Sequence, residues 1–459
     1  MRTIAACLSV SLCLGGALIA APTTIPSSPS TQPSDPVESL IAQLSADEWV
    51  TREAAQDKLE AMGATVLPRL QRAATEAANE EARQRADTAI VRIRERQMIG
   101  ASVLTLHVKN AALKDVFADI SRQCGAELKP LPPELWELRP WPKVTFDFDN
   151  QPFWVVMRAI AEQTGIELKA WNNDGLHLIQ GAPAAAAAAG RWTVTGPFLI
   201  TLHRASRNQS IDYGANDAVN SDFALTFSGV AEPKLHVVRA SYLAKLDEAT
   251  DDRGNSLIAG DEADDSVRRG GLDLAFTGNN TGQWQFTARL ANVKNMGTRL
   301  VALRGSAMVQ LQTRAETLEI PNILSASNVS RSAAGVTLTV REAKKVADRY
   351  ELSLVVTRAS GPPAGAADNM VESLDWQRVQ QSLADIRLVD EQGHTLERGS
   401  FSSGGNDQST EVTMSFTAID ATPGSRGATG EPSKLLWRLA TEVKDVVIPF
   451  EFKNVPLPQ

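Results

Sequence analysis

The sequence predicts a multidomain α+β protein, made of a short helical hairpin array, a duplicated strand-helix-strand domain and two β-sandwich domains. Three observations carry that reading. The chain has 459 residues, more than one hydrophobic core usually holds. Its apolar residues recur at helical spacing between residues 37 and 98, but alternate in short runs after residue 190. Between them, a stretch matches itself at an offset of 40 positions. With 43% hydrophobic and 22% charged residues, composition is that of an ordinary globular chain, which argues against wholesale disorder.

Met1-Arg2-Thr3 is followed by an apolar run from Ile4 to Ala21, with small residues at Ala17, Ala20 and Ala21. That order predicts a secretory signal peptide over 1–21, and hence a periplasmic or extracellular/cell-envelope location with no membrane span once it is removed. The same run, if retained, would serve as an anchor. Removal takes away Arg2, Cys7 and Cys13, so the formal charge of −8 becomes −9 and Cys124 is the last cysteine. Stability must then come from burial rather than disulfides. The acidic balance argues against nucleic acid, whose phosphates require Lys and Arg. Prolines at 22, 26, 29, 33 and 36 among Ser and Thr predict an extended linker over 22–36.

Across 37–98, Leu40, Ile41 and Leu44, then Ala54, Ala55, Leu59 and Met62, then Leu67 and Leu70, then Ala86, Ala89, Ile90 and Ile93 mark one face of successive short helices. Gly63 is placed to stop one helix and Asn79 to cap the last. The run from Asp47 through Trp49, Val50, Arg52, Ala54, Ala55, Leu59 and Gly63 to Leu67-Pro68 resembles a HEAT-type repeat. That resemblance implies a protein-binding surface or, in so short an array, a helical cap on the next domain.

In segment 101–181, Thr105, Asn110, Val116, Ile120, Gln123, Gly125, Glu127, Leu128 and Lys129 fall onto Thr145, Asn150, Val156, Ile160, Gln163, Gly165, Glu167, Leu168 and Lys169. Each copy opens with strand alternation and continues with apolar spacings of three and four. Each then reaches a glycine suited to a left-handed helix stop, followed by a short strand. The two copies are expected to share one small sheet, with their helices on a single face. The pattern resembles the short N-terminal (STN) domain of secretins and TonB-dependent receptors, a module that makes protein contacts in the periplasm. Pore formation and transport are not implied, because nothing downstream looks like a secretin core or a receptor barrel.

An Ala-rich linker is expected over 182–190, then two β-sandwich domains over 191–325 and 326–459. Many short alternating runs separated by Gly, Asp, Asn and Ser resemble immunoglobulin-like folds. The halves echo each other: Asp251-Asp252-Arg253-Gly254-Asn255-Ser256-Leu257 parallels Asp390-Glu391-Gln392-Gly393-His394-Thr395-Leu396. These motifs suit hairpin turns; closely spaced carboxylates would also suit calcium, but neither copy has the closing acid of an EF-hand loop. The run Asp261-Glu262-Ala263-Asp264-Asp265 reads as a solvated loop.

No catalytic, cofactor or metal-binding constellation is assigned. His107, His177, His203, His236 and His394 lack zinc spacing, and Cys124 lies at a helix-packing position. No nucleophile elbow, phosphate loop or dinucleotide fingerprint occurs. Trp136 and Trp141, in the Pro-rich insert Pro130–Pro142, are the aromatics of interest: exposed, they would grip a partner or a glycan; buried, they would cover the sheet or the helical cap. The expected function is a non-catalytic exported envelope protein with a protein partner. The alternatives are a carbohydrate-binding module, a carboxylate-based polysaccharide hydrolase, or a periplasmic component of a secretion assembly.

Overall fold

The computed structural model describes residues 35–170, 176–181, 191–213, 218–258, 282–358, 376, 378–406, 408–419 and 429–458. The expected signal peptide, nearly all of the Pro-rich linker, the Ala-rich linker, the acidic run 261–265 and a strand expected at Leu272–Phe276 lie outside them. The fold is mixed α+β with several sheets, and no sheet closes into a barrel among the described residues. Two compact units divide the chain at Arg92/Ile93.

The first unit is helical. α1 (Pro36–Gln43) starts where the Asp35 carboxylate accepts the Val37 amide at 3.0 Å, with Pro36 in the first turn. α2 (Trp49–Met62) stops at Gly63, whose φ of 68° a side chain would resist. α3 (Leu67–Glu76) follows. α4 (Glu80–Ile99) is capped by Asn79, which accepts the Glu81 amide at 2.9 Å; the division between units falls within this helix. Leu44, Ala55, Leu59, Leu70, Ala86 and Ala89 are buried as the spacing predicts, but Ala54 and Met62, expected on the same face as Ala55 and Leu59, are exposed.

The second unit begins with an α+β module. β1 (Val103–Ala111) pairs antiparallel with β3 (Val144–Pro152) as a two-stranded sheet. α5 (Leu113–Cys124) and α6 (Phe153–Thr164) follow these strands, each closed by a left-handed glycine, Gly125 or Gly165. The strands after the helices do not join them. β2 (Lys129–Pro130), β4 (Ile166–Ala170) and β5 (Leu176–Gln180) form a separate sheet in the order β2-β5-β4. The expected single sheet is thus two. The first copy's closing strand pairs in parallel with β5 through Lys129 and Pro130, and the Leu131 amide donates to the Leu178 carbonyl at 2.8 Å.

The β region contains two meanders of the same order. β6 (Arg191–Thr195), β7 (Phe198–Asp212), β8 (Ala218–Ala231) and β11 (Gln283–Arg289) lie as β11-β8-β7-β6. β13 (Val329–Ala333), β14 (Val336–Val346), β15 (Arg349–Arg358) and β18 (Ser409–Thr417) lie as β13-β14-β15-β18, with β17 (Glu397–Gly405) added beyond β18. A further sheet serves both meanders. β12 (Arg299–Pro321) and β19 (Lys434–Pro456), of 23 residues each, pair from Arg299↔Pro456 to Pro321↔Lys434, flanked by β9 (Val237–Ala240), β10 (Lys245–Asp251) and β16 (Arg387–Val389).

Each long strand serves two cores. β12 places Leu300, Leu303, Val309 and Leu311 in the first and Leu318 and Ile320 in the second. β19 does the reverse, giving Leu435, Trp437 and Leu439 to the second and Ile448, Phe450, Phe452 and Val455 to the first. A boundary near 326 therefore does not separate the two cores. The residues that complete the first, Ile448 to Leu457, come after all those of the second in sequence.

The repeated Asp motifs are matching turns. Asp251 is buried and accepts the amides of Arg253 (2.9 Å), Asn255 (2.8 Å) and Gly297 (2.7 Å), while Gly254 takes a φ of 83°. Asp390, also buried, accepts the amides of His394 (2.8 Å) and Gly430 (2.9 Å), with Gly393 at φ 87°. The carboxylate oxygens point at N–H donors, and each aspartate ties its hairpin to the segment that leads into a long strand. Burial would raise the Asp251 carboxyl, but bonds from the Asn255 side chain and the Gly297, Asn255 and Arg253 amides outweigh it and hold the group at about 2.

Two outcomes follow from these facts. Burying Ile448, Phe450, Phe452, Val455 and Leu457 contributes on the order of 10 kcal/mol, comparable with a whole domain's stability. A fragment covering residues 191–325 alone is therefore expected to show no cooperative unfolding by circular dichroism, whereas the intact chain does. For Asp251→Ala, a loss of about 3 kcal/mol is expected at neutral pH. Because the folded pKa is depressed, the aspartate's contribution is present above 3.8 and lost as pH falls through about 2, so denaturation curves of variant and wild type should converge in acid.

Candidate interaction surface

The duplicated module presents its β1–β3 ribbon with a symmetric hydrogen-bond pattern. The Asn110 amide donates to Thr145 Oγ1 at 3.1 Å, and the Asn150 amide donates to Thr105 Oγ1 at 3.2 Å. Both asparagines have positive φ, 53° and 50°, conformations that asparagine tolerates better than most residues. This reciprocal exchange is why Thr and Asn recur at an offset of 40. Leu104 and Leu106 face inward with Val144, while His107, Lys109, Thr145, Asp147 and Asp149 face solvent. His107 Nδ1 lies 2.7 Å from Asp147 Oδ1 across the ladder.

Beneath the ribbon, Leu113, Val116, Phe117, Ile120, Phe153, Val156, Met157 and Ile160 form a core with Leu128, just before β2, and with Ile166 and Leu178 of the other sheet. Leu199 of β7 belongs to it too, so the module is packed onto the first meander. Two polar contacts fix that joint. Glu232, buried, accepts the Ser102 amide on both oxygens at 3.0 Å, and Trp154 Nε1 donates to the Pro197 carbonyl at 3.0 Å. Burial pushes the Glu232 carboxyl up, opposed by the Ser102 bonds and Lys234.

Trp136 and Trp141 are half-buried against this core. Trp136 lies 5.9 Å from Phe117 and 6.1 Å from Trp141, centroid to centroid. The Trp141 indole donates to the Leu135 carbonyl at 2.7 Å, and the Arg139 guanidinium stands 3.9 Å over its ring. The two rings cover the helix α5 side of the module. Large apolar side chains that do face solvent include Trp49 and Val50 at the start of α2, 59% and 69% exposed. Trp49 falls within the HEAT-like run, but nothing in its spacing distinguishes an exposed tryptophan from a packed one. Cys124 is buried, and burial raises its thiol, which suits a packing role.

Ionisable groups converge in two further places. A cleft of about 300 Å³ is lined by Glu127, Lys129, His177, His394, Thr395 and Thr429 among others, so it joins the α+β module to the second Asp-Gly turn. Among the described residues, no group of three or more His, Cys, Asp or Glu is placed to hold a metal ion. The other place is the seam between the two β cores. There His236 Nε2 stands 4.0 Å from Asp385 Oδ2, and Arg239 Nε donates to Gln381 Oε1 at 2.8 Å. Burial, with Arg438 and Arg387, lowers the His236 imidazole to about 4. Burial likewise raises the Asp385 carboxyl to about 6, against the pull of Arg387, Arg398 and Arg438.

No helix among the described residues is long and apolar enough to cross a membrane. The sequence matches no family model, and no curated protein matches it significantly. Among solved structures, a conserved domain protein from Bacillus anthracis aligns over 62% of this chain and 91% of its own at 8% identity. Its TM-score of 0.14 leaves that similarity without bearing on fold or function.

The seam makes a pH prediction. His236, depressed from 6.5 to about 4, stabilises the fold above 6.5, and this is lost as pH falls through about 4. Asp385, raised from 3.8 to about 6, stabilises it below 3.8, and this is lost as pH rises through about 6. The slopes oppose each other between about 4 and 6. His236→Asn should therefore lose stability as pH rises across that window, and Asp385→Asn should gain it, as read from urea midpoints; parallel profiles for the two variants would contradict the assignment.

Proposed function

We propose that this chain is an exported, non-catalytic cell-envelope protein that mediates protein–protein interaction or scaffolding. On this reading the helical unit is a HEAT-like array, the α+β module resembles the STN domain, and the two meanders with their shared sheet are immunoglobulin-like sandwiches. The observation that carries the proposal is the β1–β3 ribbon. A nine-residue antiparallel pair is left as a two-stranded sheet, its polar face is in solvent, and its other face is anchored in a core continuous with the first meander. An isolated pair of strands is marginal in water, whereas one fixed to a helix-backed core presents backbone donors and acceptors at defined positions. The hydrogen-bond pattern shared by the two copies serves the ribbon's geometry and leaves its solvent face available to a protein partner.

The reading is tested with the chain lacking residues 1–21, immobilised and challenged with a bacterial envelope extract. One protein retained in near-stoichiometric amount, and released by excess soluble chain, is the expected result. Retention that soluble chain does not compete away, across extracts from several growth conditions, would remove the interaction role.

A further inference from the structure

We propose that the outer edge of β3 receives an extended segment of a partner protein, in which Lys or Arg alternates with apolar residues, as a third strand of the ribbon. This rests on the interaction reading and names the chemistry of its partner.

The two copies of the module agree closely but differ at one edge. In the first, Gln123 reaches from α5 and closes β1: its Nε2 donates to the Thr105 carbonyl and its Oε1 accepts the Thr105 amide, both at 2.9 Å. The equivalent residue of the second copy, Gln163, is exposed, and among the described residues it bonds to nothing. The peptide groups of β3 are thus without the clamp that β1 possesses.

Register determines which groups are offered. Thr105 points its backbone away from β3, so alternation along the strand turns Leu106 and Val108 toward β3, where they face Phe148 and Phe146. Asp147, opposite His107, and Thr145, two residues before it, then direct their N–H and C=O to the open side. The carbonyl of Asp149 is already taken by Gln151 Nε2 at 3.1 Å.

Side chains define the occupant. Asp147 and Asp149 stand on the solvent face, and the Asp147 side chain is 90% exposed. On the opposite face Phe146 and Phe148 are half-buried and stacked at 5.2 Å, each leaving part of a ring uncovered. A strand laid along this edge puts one set of side chains beside the two carboxylates and the alternate set beside the two rings. Basic and apolar residues in alternation satisfy both. A second copy of β3 would bring carboxylates against carboxylates, the arrangement by which edge strands avoid their own kind.

The probe is a fluorescent heptapeptide, blocked at both ends, alternating lysine with valine, titrated into the full chain at low salt. Binding is expected, with slowed amide exchange at Thr145 and Asp147. Methylating the lysine amides, or introducing Asp147→Lys with Asp149→Lys, should weaken it by about tenfold or more. A glutamate-for-lysine peptide should instead favour the doubly substituted chain. Unchanged urea midpoints would show that these exposed substitutions leave the fold intact. Absence of binding, indifference to methylation, protection elsewhere, or self-association of the wild-type chain through β3 would each overturn the assignment. In the extract experiment, a partner still held by the doubly substituted chain would remove β3 from the interaction while leaving the interaction itself in place.

Discussion

The antiparallel pairing of β12 with β19 is the constraint on which the second unit's architecture depends. Twenty-three residues at about 3.3 Å each make a ribbon of roughly 75 Å, several times the usual strand length. No single core is that long, so the ribbon runs through two, and each strand changes allegiance along its length. Hydrophobic burial is short-ranged, yet here one strand pair, bulged between Gln312 and Ala315, makes the burial of each core depend on the other.

The remaining elements are arranged around that ladder. β10 and β16 flank its two sides, and a buried aspartate turn leads toward each long strand, Asp251 through Gly297 and Asp390 through Gly430. Gly305 shows how closely the layers approach. A methyl group there would stand 2.4 Å from the Lys245 carbonyl oxygen and 2.9 Å from the Phe450 ring. The charged seam of His236 and Asp385 belongs to the same joint. Its two groups are partly withdrawn from water, and burial shifts them in opposite directions, lowering the imidazole and raising the carboxyl.

Much of the local structure was legible in the sequence because period and punctuation agreed. The α5 and α6 faces, the left-handed glycines at 125 and 165, the stop at Gly63 and the cap at Asn79 all follow from short-range rules. The long strands were not legible as single elements. By alternation alone Leu300–Leu303, Met308–Leu311 and Leu318–Ile320 are three short strands, separated by Arg304-Gly305-Ser306 and Gln312-Thr313-Arg314. Those two separators are instead the polar interludes of one strand. β17 was invisible, since Glu397–Gly405 is exposed and polar along nearly its whole length. The ribbon edge was half visible: the duplication aligned Gln123 with Gln163, but only tertiary contacts distinguish the glutamine that clamps from the one that does not. Trp136 and Trp141 stood out by type alone, and type does not reveal that their rings lie against Phe117 and Leu135.

The crossed ends of β12 and β19 also set a timetable. A ribosome delivers residues 198–311 long before Ile448 to Leu457, so the earlier core must wait, incompletely closed, until that later segment arrives. Maturation cannot then proceed piece by piece from the amino terminus. Closure waits for residues 434–456, whose pairing with β12 locks both halves together.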